Sequence, residues 1–261
     1  MTERPLTGRT ALVTGASSGI GRAIALALAG QGADVILHHH GQPEEAEAAA
    51  QEIRAVGCDA RVVDGDFTAP DAAGNLLAQL NGQQVDILIA NAAIERRGPW
   101  ESLPADHIQA HVQANFLSLI TLLQGLVPDM AARGWGRVIC LGSIMQARPR
   151  AETLAYAAMK SAQLTTIRAI AREVAARGVT LNAVSPGAIR TERMAERYDD
   201  PAFVAAVTAK IPAGRPGTPE DITAPVLMLC SEGGSYITGA DIPVDGGWRI
   251  GDAMHALPEK T

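Results

Sequence analysis

Tyr156 and Lys160 stand four residues apart in the stretch Thr153 to Arg177, whose spacing predicts a helix. Residues at i and i+4 share one helix face, so a phenol and an ammonium point into the same space. Only this tyrosine has a lysine at that spacing; Tyr198 and Tyr236 are followed there by Ala202 and Ala240. Interconverting an alcohol and a carbonyl needs a hydride acceptor, a proton acceptor and a donor to hold the oxygen. A free tyrosine titrates near 10, too high for a base at neutral pH, and a nearby ammonium favours the phenolate. A pKa lower by ~2–3 pH units corresponds to ~3–4 kcal/mol of phenolate stabilisation. The plainer reading is an ordinary surface helix pair.

A second element of chemistry lies near the start, in Thr14-Gly15-Ala16-Ser17-Ser18-Gly19-Ile20-Gly21. Glycines spaced G-x-x-x-G-x-G let backbone approach a pyrophosphate, and a following helix offers free N–H groups and a positive dipole end. No Lys-Ser/Thr pair follows the last glycine, so the turn is not a P-loop. It follows a predicted strand and opens a helix, the context dinucleotide binding requires. Glycines that only permit tight packing are the alternative.

Short β-rich runs alternate with helical patterns through most of the chain. Strands are expected at 10–14, 34–38, 60–66, 85–90, 136–143, 179–185 and 240–245. Helices are expected at 19–29, from 43, from 70, at 104–132, 153–177 and 219–231. Nearly continuous apolar strands such as VDILIA and RVICL suit a parallel sheet covered on both faces. The expected fold is therefore an α/β, Rossmann-like doubly wound parallel sheet of about seven strands, as a single domain over 1–261. The irregular stretch 186–217, with Pro186, Pro201, Pro212 and Pro216, reads as a lid or a disordered loop.

Composition narrows the partners. The formal charge is −6, whereas a phosphate-backbone binder usually shows a basic balance, so nucleic acid is disfavoured. No uninterrupted apolar run reaches the roughly 18 residues that span a bilayer, and the first residues lack a signal peptide's apolar stretch. Cys58, Cys140 and Cys230 are odd in number and far apart, which suits free thiols in a reducing cytoplasm.

Together these residues resemble the short-chain dehydrogenase/reductase family, in its single-domain branch. The resemblance runs from about Thr10 to Trp248. It rests on TGASSGIG at 14–21, Asp66, Asn91-Ala92-Ala93, Asn115, Ser143, Tyr156 with Lys160, Pro186-Gly187 with Thr191, and VDGG at 244–247. It implies hydride transfer between NAD(P) and an alcohol/carbonyl substrate, with Tyr156 as general acid/base. Lys160 would lower the Tyr156 pKa and hold the nicotinamide ribose. Ser143 would hydrogen-bond the substrate oxygen, and Asn115 would hold a water that links Lys160 to solvent. For Ser143 a turn or N-cap role stays open, and for Asn115 a purely structural one. The cofactor contacts implied are Gly15, Ser17, Ser18, Gly19, Ile20, Gly21, His39, His40, Asp66, Phe67, Asn91, Ala92, Ala93, Tyr156, Lys160, Pro186, Gly187, Ile189 and Thr191. Asp66 also reads as a plain strand-end turn residue.

Two departures matter. Ala93 stands where the family usually has glycine, which is harmless only if its φ is negative. At the end of the second strand the position matching the family's acidic ribose ligand is His39, within His38-His39-His40. No carboxylate repels a 2′-phosphate there, so the expectation leans to NADP over NAD, with His39 or His40 near the phosphate. No metal is expected, because successive strand side chains point to opposite faces.

Segments 94–103, 144–155 and 187–215 should ring the substrate, the last as its lid, and carry Arg96, Arg97, Arg148, Arg150, Arg190 and Arg193. These read either as a site for an anionic substrate or acyl carrier, or as a solvated mixed surface with the interleaved glutamates. A 3-oxoacyl-acyl-carrier-protein reductase, a sugar or polyol dehydrogenase and a non-enzymatic dinucleotide sensor all remain open. The resemblance also implies a homodimer or homotetramer assembled through the two long helices.

Overall fold

Apolar side chains alternate between the two faces of each central strand, and that alternation builds two helix layers. A computed structural model describes residues 4–253. Its strands are β1 (Thr10–Val13), β2 (Asp34–His39), β3 (Ala60–Asp64), β4 (Ile87–Ala90), β5 (Gly136–Leu141), β6 (Val179–Pro186) and β7 (Asp241–Val244). All pair in parallel in the order β3-β2-β1-β4-β5-β6-β7. The expected doubly wound sheet is what forms.

The helices are α1 (Gly19–Gly30), α2 (Pro43–Ala55), α3 (Ala72–Gln79), α4 (Ala105–His111), α5 (Ser118–Ala132), α6 (Leu154–Val174), α7 (Ala195–Tyr198), α8 (Pro201–Thr208) and α9 (Pro219–Cys230). Leu12, Leu88, Val138 and Leu181 face α3, α5 and α6, packing with Leu76, Leu122 and Ile167. Val13, Leu37, Ile87 and Ile139 face α1, α2 and α9, packing with Leu28, Ile53 and Leu229. Local signals start the outer helices. Pro43 opens α2 ahead of Glu44 and Glu45, and Thr218 forms a capping box with Asp221 before Pro219 of α9.

The chain runs from β1 outward to β2 and β3, then returns to place β4 on the other side of β1. Connections leaving in opposite directions open a crevice beyond the carboxyl ends of these strands.

Two expectations need correction. The helix expected over 104–132 is divided by a π-helical turn, Val112–Leu117, which contains Asn115. Nor is 186–217 wholly irregular, since it contains α7 and α8. The stretch Ala105–Ala132 is long and apolar enough to cross a membrane, but half of it is buried, with Leu119, Leu122 and Leu126 in the core.

Gly178 sits at φ +74° before β6, and a Cβ there would stand 2.1 Å from the Gly134 carbonyl oxygen. Gly178→Ala should therefore cost at least about 1 kcal/mol. Thermal melts should show a drop of about 2–4 °C per kcal/mol. Gly74→Ala in α3, where an added methyl meets nothing within 4 Å, should leave the melting temperature unchanged or raised.

Candidate active site

Thr14 and Asn91 tie the two strand ends at the crevice. The Thr14 hydroxyl donates to the Ile89 carbonyl (3.3 Å) and accepts from the N–H groups of Asn91 (2.9 Å) and Ala92 (3.0 Å). The Asn91 amide donates to the carbonyls of Thr14 (2.9 Å) and Gly15 (3.0 Å). A Cβ on Gly21 would stand 2.1 Å from the Gly15 oxygen, so this glycine serves tight packing within the turn. Gly15 and Gly19 lie at φ +65° and +54°, where side chains are disfavoured. Ser18 caps α1 without a side-chain hydrogen bond. The Glu192 carboxylate receives the Gly19 N–H at 3.4 Å. An oxyanion thus already meets this helix end, which fits a pyrophosphate there.

The turn lines a cavity of about 290 Å³ with Ser17, Ser18 and Ile20, and Asp66, Phe67, Asn91, Ala92 and Ala93 border it. Among the described residues, only Asp71 and Asn81 combine a side chain with positive φ, so the Ala93 methyl sits on ordinary backbone. The Thr68 N–H and hydroxyl both donate to Asp66, at 2.9 and 2.7 Å, and hold its pKa below the usual carboxylate value. Asp66 is therefore a turn residue and a cavity-lining residue at once.

The histidines part company. His38 and His40 line this cavity; His39 does not, being buried with its Nδ1 3.5 Å from Asp64. The strand pleat sends neighbouring side chains to opposite faces, so counting residues from the glycine turn selects the wrong ring. His38 stacks on Phe67, ring centroids 4.3 Å apart. It accepts from the Gly15 N–H at 3.2 Å and donates to the Gly65 carbonyl at 2.9 Å. Gln42 also lines the cavity and bonds the Ser17 hydroxyl at 2.8 Å.

A second cavity, of about 340 Å³, shares Ile20, Asn91, Ala93 and Thr191 with the first. Ser143, Tyr156, Lys160, Pro186, Gly187 and Ile189 line it. Ser143 follows β5 where the strand leaves the sheet. Its hydroxyl accepts from the Met145 N–H at 3.1 Å, which leaves its own proton for a second partner. The N-cap role and the substrate-facing position therefore coexist.

Tyr156 and Lys160 depart from expectation. Burial pushes the phenol up to about 12, although the neighbouring Ser143 hydroxyl pulls the other way; Glu95 and Cys140 add to the rise. The Lys160 amine lies 5.5 Å from the Tyr156 ring centroid and donates to the Leu141 carbonyl at 2.6 Å. It is fully enclosed, and desolvation lowers its own pKa. Burial sets the direction of the Tyr156 shift, and the Lys160 amine, with one N–H engaged by the Leu141 carbonyl, is not among the groups that counter it.

Asn115 does not line either cavity's reacting end. Its side chain clamps Ile94, receiving the N–H and donating to the carbonyl, both at 2.8 Å. Its own carbonyl, within the π-helical turn, accepts the side-chain amide of Gln163. The structural role for Asn115 is thus realised. Reading residue by residue also missed Gln146. Its amide holds Ser185 (3.0 Å) and Asp241 (2.9 Å), and its oxygen faces the Ser143 N–H (3.4 Å). A glutamine three residues after a serine that leaves a strand is a capping-box signal that could have found it. Gln163, Gln42 and His38 carried no comparable local signal.

The geometry defines a dinucleotide-type crevice joined to a cavity that holds a serine, a tyrosine and a lysine. A family model described as enoyl-(acyl carrier protein) reductase matches residues 15–249. The chain is 34% identical to a 2-dehydro-3-deoxy-D-gluconate 5-dehydrogenase of Pseudoalteromonas atlantica, over 93% of this chain and 96% of the relative. It is 37% identical to the 3-oxoacyl-[acyl-carrier-protein] reductase FabG of Pseudomonas aeruginosa, over 93% and 98%. A crystal structure of a 3-oxoacyl (acyl-carrier-protein) reductase from Agrobacterium tumefaciens with NADP bound superposes with TM-score 0.89 at 40% identity, covering 94% and 96%. The chain belongs to the short-chain dehydrogenase/reductase family. It is an NAD(P)-dependent oxidoreductase of that family.

His38 supplies a pH test of the crevice. Burial lowers its pKa from 6.5 to about 4. Between those values the unfolded chain takes up a proton that the folded chain refuses, so stability falls as pH drops from 6.5 to 4. The loss reaches about 3 kcal/mol. Urea melts from pH 7 to 4 should show that slope, and His38→Asn should flatten it.

Proposed function

We propose that the protein reduces a small carbonyl compound to an alcohol, or runs the reverse reaction, with NADP as cofactor and Tyr156 as the acid/base. The observation that carries this reading is the continuity of the two cavities: the glycine turn borders one, and Ser143, Tyr156 and Lys160 border the other. NADP, when bound, supplies or accepts the hydride. In reduction the carbonyl carbon gains the hydride, and its oxygen takes the proton of the Tyr156 hydroxyl. The Ser143 hydroxyl donates to that oxygen as negative charge builds on it. Lys160, which spends one N–H on Leu141, keeps two donors for the cofactor ribose and for the phenol side of the cavity. Asn115 and Gln163 brace the loop and helix that hold these groups. The NADP choice is supported by the end of β2, which brings His38 and His40 and no carboxylate of its own to the crevice, Asp66 lying 3.8 Å from His40. NADP-bound relatives support it too.

One domain carries both halves of the site, and segment 187–215, with α7 and α8, closes over the substrate. The protein works as a homo-oligomer in a reducing cytoplasm, as a dimer or tetramer. Exposed Ile108, Leu117 and Leu154 along α4 to α6 favour assembly through those helices, and three buried free cysteines fit that compartment.

Following NADPH absorbance with a carbonyl panel tests the reaction. Tyr156→Phe should cut turnover by about 10²–10⁴-fold, with NADPH affinity retained; undiminished turnover would remove Tyr156 from the mechanism. A phenol that titrates near 12 stays protonated through neutral pH. Reduction should therefore be flat in kcat/KM from pH 6 to 9 as far as this group decides. Alcohol oxidation should rise about tenfold per pH unit.

A further inference from the structure

Arginines border the substrate cavity at three places, and they are not equivalent. Arg97 spends its Nε on Glu95 at 2.6 Å, so its charge is balanced within the cavity wall. Arg148 donates to the Trp248 carbonyl (2.7 Å) and Asp252 (2.9 Å), and Arg190 lies 3.9 Å from Asp199; neither borders this cavity. The side chain of Arg193 lies outside the described residues.

Arg150 and Arg197 differ from all of these. Both line the cavity that contains Ser143 and Tyr156. Among the described residues, neither guanidinium donates a hydrogen bond. Arg150 forms a long ion pair with Glu152 at 3.7 Å, beyond hydrogen-bond distance, and lies over the Trp248 ring at 5.7 Å. Arg197 lies 6.0 Å from the Phe203 ring centroid, on α7, with no carboxylate partner among the described residues. One arginine thus comes from the loop before α6 and the other from the lid. Each presents a planar fork of N–H donors matched to two coplanar oxygens. Apolar surfaces of Met145, Tyr198, Phe203 and Val207 line the same cavity.

We propose that Arg150 and Arg197 form a carboxylate-binding subsite, and that the substrate is a small oxo or hydroxy acid. This deepens the carbonyl-reductase reading and rests on it. The unspent donors hold the carboxylate, the apolar walls hold the carbon chain, and the carbonyl reaches Tyr156 and Ser143.

Two measurements test the subsite. In the first, kcat/KM with NADPH is compared for 5-oxohexanoate and its methyl ester. The acid should be preferred at least tenfold, and Arg150→Met and Arg197→Met should each bring the ratio towards one, through KM. In the second, unreactive hexanoate and hexanamide are added to the NADP-loaded protein and the melting temperature is read. Hexanoate alone should raise it, and the rise should vanish in Arg150→Met. Turnover of both ketones with a ratio near one, or a ratio untouched by either substitution, overturns the carboxylate subsite and leaves the reductase reading standing. A hexanoate-specific rise without reduction of any carbonyl has the opposite meaning: the subsite stands and the reductase reading falls.

Discussion

The crevice depends on one tie between two strand ends. β1 and β4 lie side by side although the chain leaves them in opposite directions, and past the Val13–Ile89 pair the backbone adds only the bond from the Thr14 N–H to the Ile89 carbonyl (3.0 Å). Beyond that point a single threonine hydroxyl and a single asparagine amide carry the pairing forward. Thr14 and Asn91 exchange hydrogen bonds with Ile89, Ala92 and Gly15, and so hold the glycine turn at a fixed distance from the segment after β4. Both cavities include Asn91. Loosening this tie would separate the floor of one from the wall of the other.

Around the reacting end, buried amides do comparable work. Asn115 holds Ile94, Gln163 holds Asn115, and Gln146 joins Ser143 to Ser185 and Asp241. Each of these groups would be costly if left unpaired in the interior, and each is paired. Such networks trade net stability for a defined arrangement. The π-helical turn belongs to the same design: it contains Asn115, whose carbonyl accepts the Gln163 amide. Enclosure also explains the charge behaviour. Burial raises the Tyr156 pKa and lowers that of Lys160, the opposite of what their proximity on the helix alone would give.

The β-α alternation, the parallel order of apolar strands and the glycine turn were legible because each rests on local patterns. A period of two with both faces apolar, a period of 3.6, and glycines between a strand and a helix need only neighbours in sequence. Ser143, Tyr156 and Lys160 were legible for the same reason, through the i, i+4 spacing and a family resemblance that spans nearly the whole chain. His39 was misplaced because its side depends on the pleat at a strand end, which a count of residues does not register.

By itself the amino-acid order determined the β-α alternation and the parallel sheet, and set Tyr156 and Lys160 on one helix face. Only the folded chain decided which histidine faces the crevice, that the Lys160 amine turns to the Leu141 carbonyl, that Gln163 meets Asn115, and which arginines keep their donors unspent. The reason is distance along the chain. Gln163 and Asn115 are 48 residues apart, and Lys160 and Leu141 are 19 apart. Burial, which sets the direction of every large pKa shift in the site, is the sum of contacts from elements remote in sequence.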